Sequence, residues 1–199
     1  CALPISAMQA KTEGINGNFD CVTYLDISTD AEEDGAEVYT DVRTAKEALG
    51  ATSPHAAALW PMGAVGDKVY YLSALFAALT AYTDASNSDV PYESPSNKDL
   101  KITSTVLKDG TEVLLDQQQA NDLLNANGVI TAINANGYKA WGNNTAAYPS
   151  TSDPKDRWLA VRRFFDWDGN GFILTYFQKV DKPGNTRLIQ SIVDSQNII

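Results

Sequence analysis

Histidine occurs once in this chain of 199 residues, and cysteine and methionine twice each. A single histidine, His55, leaves little room for imidazole-based metal or acid–base chemistry. The two cysteines, Cys1 and Cys21, permit at most one disulfide, so cross-links do not build this fold. Long apolar runs are missing as well. The longest uncharged one, 69–82, is 14 residues, short of the ~20 that a membrane helix needs. Positive charge is scarce: 15 Lys and Arg stand against 25 Asp and Glu, a net charge of −10. A general nucleic-acid binder needs clustered cations to neutralise phosphates, which this balance does not offer. Gly-x-Ser-x-Gly, His-Glu-x-x-His, Gly-x-Gly-x-x-Gly and Walker A patterns do not occur, and no nucleophile–base–orienter set can be named. The expectation is therefore no catalytic residues, no cofactor, no nucleic-acid partner and no membrane insertion.

What remains is an ordinary folding composition, 44% apolar and 20% charged, with the length of one domain. Residues 1–41 hold nine acids and one base, Lys11. Within them, 21–27 reads as a strand, and 29–35 as an acidic loop. Residues 42–49 form a short helix stopped by Gly50. Residues 56–65 read as a buried strand running into a loop. In 69–82, Leu72, Leu75, Phe76 and Leu79 fall at helical spacing. Asp67 is the expected N-cap, and the Ala-rich remainder predicts burial nearly all round. A two-proline loop spans 84–97 and a strand is expected over 100–107. Asp116 and Gln119 have capping-box spacing, with Gly128 as the stop. Residues 129–133 and 138–141 flank Asn134-Ala135-Asn136-Gly137, a hairpin signal. Asp153-Pro154 opens a helix whose predicted apolar stripe is Trp158, Val161, Phe164 and Phe165. A last helix near Pro183 carries Leu188, Ile189, Ile192 and Val193 on one side. Strands alternate with helices, so the fold class is α/β, a mixed sheet flanked by helices. The chain opens at Cys1 with no initiator Met or signal-peptide pattern and closes uncapped on Ile198-Ile199, which reads as a processed or excised piece.

The sharpest local motif is 166–173, Asp-Trp-Asp-Gly-Asn-Gly-Phe-Ile, which matches the first eight positions of an EF-hand loop. Asp166, Asp168 and Asn170 are the candidate ligands. The twelfth position, where a bidentate Glu belongs, is Phe177, which leaves calcium too few oxygens. The plain reading is a polar turn or a locally strained helix. Four Trp and nine Tyr keep a second reading open, a calcium- or carbohydrate-binding surface module. Asn143-Asn144-Thr145 fits a glycosylation sequon, and His55 beside Pro54 reads as structural. Residues 153–187 carry seven bases and five acids. Arg157, Arg162 and Arg163 either pair within their own fold or meet another subunit. The acidic partners for the second case are Asp30, Glu32, Glu33 and Asp34. Such asymmetry between chain ends favours head-to-tail contact among copies.

Five stretches, in order, are similar to the tail sheath proteins of contractile-tailed bacteriophages and related contractile injection systems. They are 65–75 with 81–85; 90–98; 125–133 with 141–146; 153–158 with Val161-Arg162-Arg163; and 173–181 through 192–198. The resemblance covers roughly 50–199. It implies one sheath-core-type α/β domain over 1–199, with an acidic portion at 1–50 and the family-like part at 51–199. It also implies that an N-terminal arm and a C-terminal domain with its arm are absent. The implied function is a structural subunit that polymerises around an inner tube and contracts to drive it through a host envelope. The implied partners are other sheath subunits, the inner tube protein and the baseplate. The implied location is the virion tail, assembled in the bacterial host cytoplasm. In the family the equivalent of 166–171 reads as helix. Here Gly169 and Gly171 would cost ~2 kcal/mol together in a helix interior, so either the helix breaks there or packing overrides propensity.

Overall fold

The computed structural model describes residues 5–12 and 14–197. Two sheets organise it. In the main sheet, β1 (Thr23–Asp26), β2 (Ala56–Leu59), β6 (Val129–Asn134) and β7 (Tyr138–Trp141) lie in that spatial order. The first three run parallel, and β7 returns antiparallel to β6. The second sheet is antiparallel, with β3 (Met62–Val65) between β4 (Lys68–Tyr70) and β5 (Ser104–Val106). The α/β class read from the sequence is what the structure has.

Side chains alternate across a strand, and the buried run of β2 serves two cores. Ala56 and Ala58 join Leu25, Ile27, Trp60 and Val129 on one face. After a short first helix, α1 (Ile5–Lys11), helix α2 (Val42–Leu49) covers that face with Val42 and Ala45, and Leu124 joins them. Ala57 and Leu59 join Ile130, Ala132 and Ala140 on the other face, under Leu72 and Phe76 of α3 (Leu72–Ser86) and Leu159 of α6 (Leu159–Tyr176). Parallel strands covered by helices on both faces explain why β2 is apolar at every position rather than at every second one. The strand expected over 56–65 is in fact two, in different sheets. Pro61 lies between them, and its ring nitrogen has no hydrogen to give to a ladder.

The strongest local signals match the structure. Helix α2 stops at Gly50, which sits at φ 69°, a conformation that costs glycine nothing. Asp116 and Gln119 close a reciprocal capping box at α4 (Gln117–Gln119). That helix continues through a π turn, Ala120–Leu124, and a 3-10 turn, Asn125–Asn127, to Gly128. Gly128 is needed twice over: its φ is 70°, and a Cβ there would lie 2.3 Å from the Tyr148 carbonyl oxygen. The 129–141 hairpin forms as expected, with Asn134 joining the first strand opposite Tyr138. The acidic loop holds one 3-10 turn, Ala31–Glu33, with Asp30 accepting from the Glu32 N–H.

Other expectations need correction. Asp67 does not cap α3; it lies in the tight turn between β3 and β4, and the helix begins five residues later at Leu72. Nor is α3 buried all round: Leu72, Phe76, Thr80 and Thr83 face the core, while Ala74, Ala78, Ala81 and Tyr82 are exposed. The strand over 100–107 shrinks to β5 because 97–100 follows the outer edge of β7 instead. There Asn97 N–H donates to the Ala140 carbonyl, and Leu100 N–H to that of Tyr138. The helix opened by Pro154 breaks at Trp158, whose ψ of 118° separates α5 (Pro154–Arg157) from α6. Along α6 the buried residues are Leu159, Ala160 and Asp166, while Phe164 and Phe165 are exposed. The last helix, α7 (Thr186–Gln196), is capped by Asn185, with its apolar side chains left outside both cores.

Candidate functional site

Helix α6 is where most of the sequence's charged candidates meet, and its attachment starts from asparagine. Asn143 accepts at both its backbone oxygen, from Leu159 N–H at 2.8 Å, and its side-chain oxygen, from Ala160 N–H at 3.1 Å. The loop after β7 thereby satisfies two of the donors that a helix start leaves open. Next to it, Asn144 accepts from Arg157 Nε at 3.2 Å and donates to the Asn125 carbonyl at 2.8 Å. The Thr145 hydroxyl donates to the Asp156 carbonyl at 2.5 Å. Asn144 and Thr145 are buried. The sequon residues are thus stitching between the hairpin and α5–α6.

The first two turns of α6 then dock through charge. Asp166 is buried, with Oδ2 3.1 Å from His55 Nδ1 and Oδ1 accepting from Arg162 Nε at 2.9 Å. Arg162 also reaches Asp156 at 3.4 Å. Arg163 forks onto Asp84 near the end of α3, with Nη1 3.3 Å from Oδ1. Arg157 stacks between two rings, its guanidinium carbon 4.2 Å from the Tyr148 centroid and 4.3 Å from that of Trp158. All three arginines therefore have partners inside this fold. Bidentate and stacked geometry suits arginine, whose planar head loses little entropy when fixed.

The EF-hand-like stretch takes no loop form. Residues 166–173 lie inside one continuous α6, and no break occurs at Gly169 or Gly171. Asp166 is engaged as described, and Asn170 is bound to another segment: its amide donates to the Asp20 carbonyl at 2.7 Å, and its oxygen accepts from the Asp20 N–H at 3.0 Å. Packing at Asp166 and Asn170 overrides the glycine penalty between and beyond them. Among the described residues, no three His, Cys, Asp or Glu gather as a metal site. Beside this anchor lies a cleft of about 340 Å³, lined by Asp20, Cys21, Tyr24, Asp84, Arg163 and Trp167 among others. Burial pushes up the Cys21 thiol, with Asp166 and then Asp20 adding to the effect. Cys21 is a free thiol, and Cys1 lies outside the described residues.

Of the acidic candidates, Asp30 and Glu33 each lie 3.4 Å from Lys108, and Glu32 and Asp34 are exposed. Exposed pairs of this kind are worth little, so the segment remains an acidic surface. A half-buried carboxyl and a buried amine escape a reading of the sequence alone. Asp26, at the end of β1, accepts from the Ser73 N–H at 2.9 Å and from the Ser73 hydroxyl, and so caps α3 from 47 positions away. Burial raises its carboxyl above the usual range, opposed by the Ser73 hydrogen bonds. Lys46 of α2 donates to the Asn127 carbonyl at 2.7 Å and the Tyr148 carbonyl at 2.8 Å, and burial lowers its amine to about 8.

A second feature of α6 is apolar. Past Asp166 it exposes Trp167, Phe172 and Leu174, and the chain beyond adds Phe177, Val180, Ile189 and Val193. No helix among the described residues is long and apolar enough to cross a membrane. These side chains lie outside both hydrophobic cores.

No family model matches the chain. In sequence it is 33% identical, over 108 residues, to the tail sheath protein of Burkholderia phage BcepMu; the aligned stretch is 52% of this chain and 22% of the phage protein. In structure it is similar to a chain of the anti-feeding prophage helical sheath in its contracted state, with TM-score 0.66, 18% identity, and coverage of 96% of this chain and 48% of that one. It is also similar to a chain of the PVC sheath complex, an extracellular contractile injection system solved in its contracted state. That match has TM-score 0.60 and 22% identity, and covers 76% of this chain and 42% of the other. The chain thus has a sheath-type fold and a phage tail sheath relative, while spanning less than half the length of the solved chains it matches.

Proposed function

We propose that this chain forms the α/β core of a contractile tail sheath subunit, a mechanical part and not an enzyme. The observation that carries the reading is the fold, which aligns with a solved sheath chain over 96% of its length. The phage tail sheath relative supports it independently through sequence. In this role copies of the subunit pack around an inner tube and adjoin a baseplate, within a phage tail or an injection particle. Contraction is a rigid-body change between two packings of the same subunits. The double-sided core suits such a machine, because tightly packed interiors transmit strain rather than absorb it. The charge anchoring of α6 serves the same end, since it fixes the helix that carries the exposed aromatic face.

The test is electron microscopy of particles from a host carrying the gene for this chain, beside a strain in which that gene is disrupted. The expected result is a tube surrounded by a sheath in the first, and bare tubes in the second. Particles whose sheath survives the disruption would overturn the proposal.

A further inference from the structure

Two surfaces on opposite faces of the main sheet differ in charge. On one face, Leu75, Leu79 and Tyr82 of α3 meet Leu100 across a groove of about 630 Å³, rimmed by Lys98, Lys101 and Lys139. Lys98 is held 2.5 Å from Glu93 and Lys139 2.5 Å from Asp99. The rim keeps one more cation than acid, on a chain whose net charge is −10. Its floor is apolar, and Tyr82 is 71% exposed.

On the other face, the 30–41 segment is acidic. A cleft of about 490 Å³ there is lined by Asp30, Glu37, Val38, Leu107 and Asp109, with Lys108 as its cation. Glu32, Glu33, Asp34, Glu37 and Asp41 are exposed, and Val38 is 49% exposed in their midst. The two surfaces cannot meet within one molecule. Leu100 packs into the core beneath α3, whereas Ala36 and Leu107 pack into the core beneath α2, across the sheet.

We infer that the α3 groove receives the 30–41 segment of a second copy, with Val38 entering the apolar floor and Glu37 and its neighbours meeting the lysine rim. The inference rests on the proposed sheath role and names one of its subunit contacts. A contact between unlike surfaces leaves one of each open on every pair, so it propagates into rings or helices rather than stopping at a dimer. Apolar burial supplies the attraction, and the charges set orientation and speed the encounter.

The test uses the gene product that contains this chain, with polymer formation followed by sedimentation and electron microscopy. Lys101→Glu and Glu37→Lys should each slow assembly about tenfold, because each puts like charges face to face. The double swap, Lys101→Glu with Glu37→Lys, should restore it. Circular dichroism and thermal unfolding of each variant check that the subunit still folds. As a second measurement, subunits carrying Lys101→Cys are mixed with subunits carrying Glu37→Cys. Oxidation should then yield linked pairs containing one of each. Wild-type polymers whose assembly ignores both single reversals would overturn the groove contact while leaving the sheath role standing. A double swap that fails to rescue, or oxidation that yields no pairs joining a Lys101→Cys subunit to a Glu37→Cys subunit, would overturn it too. A wild-type protein that never polymerises would remove both readings.

Discussion

The two ends of α6 belong to one continuous helix yet have different surroundings. Up to Asn170 its inward side is fixed by specific polar contacts: Asn143 at the start, Arg163 on Asp84, Asp166 between His55 and Arg162, and Asn170 on Asp20. Beyond Asn170 the helix has no buried residue, and Leu174 is 70% exposed. An apolar stripe normally marks the side of a helix that faces its own core. Here only the first turn gives apolar residues, Leu159 and Ala160, to the buried side; after it the one buried residue is Asp166, and the apolar side chains beyond are open. Directional bonds thus hold the helix past its first turn, and its exposed apolar side chains lie outside both cores.

Breaking the anchored end should have the largest effect. Asp166→Ala leaves His55 buried without its carboxylate and Arg162 with Asp156 alone, at 3.4 Å. Removing one partner of a buried pair costs about 3–5 kcal/mol. Denaturant unfolding of the variant should show a loss of that size, a large share of the whole stability of a domain. A loss below about 1 kcal/mol would mean that the network is not what holds the helix.

A second anchor, on α2, gives the comparison a pH dependence. Arg43 and Glu47 form an exposed pair there, while Lys46 is buried on two carbonyls with an amine lowered to about 8. Below about pH 8 both folded and unfolded chains hold the proton. Between about 8 and 10.5, its ordinary value, the unfolded chain holds it and the folded one does not. The unfolded state then binds more protons, so this group makes stability rise with pH across that window. The rise is on the order of 3 kcal/mol, at about 1.4 kcal/mol per unit. Melting curves of wild type and Lys46→Met, taken from pH 7.5 to 10.5, should diverge with that sign; parallel curves would refute it.

How much of this is legible in the sequence depends on the range of each interaction. The capping box at Asp116, the stop at Gly50 and the 134–138 turn are each written within a few neighbouring residues, and each is readable there. Asp26 with Ser73, His55 with Asp166, and Arg163 with Asp84 join positions far apart in sequence. No local spacing encodes them, so Asp67 looks like the cap that Asp26 supplies. The 166–171 stretch misleads for the same reason. Its Asp and Gly residues resemble a loop locally, and only Asp20 and His55, from other parts of the chain, explain why it is helix. The stripe of Trp158, Val161, Phe164 and Phe165 has the right period but the wrong orientation, because the helix buries Asp166 instead.

The glycines sharpen the contrast next. Gly169 and Gly171 sit in the helix, and a Cβ on either would meet nothing within 4 Å. Alanine at either position should therefore stabilise the protein by up to about 1 kcal/mol, from helix propensity alone. Thermal unfolding of Gly169→Ala and Gly171→Ala checks this. Destabilisation by either would show that this stretch needs backbone freedom that the continuous helix does not reveal.

The smallest effect is expected at the open end. Glutamine in place of Leu174 keeps a good helix former and removes a side chain that buries little in the subunit. Stability should change by less than about 0.5 kcal/mol, the range for surface positions. If the apolar side of this helix serves assembly, the same variant should still weaken polymer formation. Stability and assembly would then separate at Leu174 while falling together at Asp166. A Leu174→Gln protein that unfolds several degrees earlier would instead place that side chain in the subunit's own packing, and the two ends of α6 would no longer differ in kind.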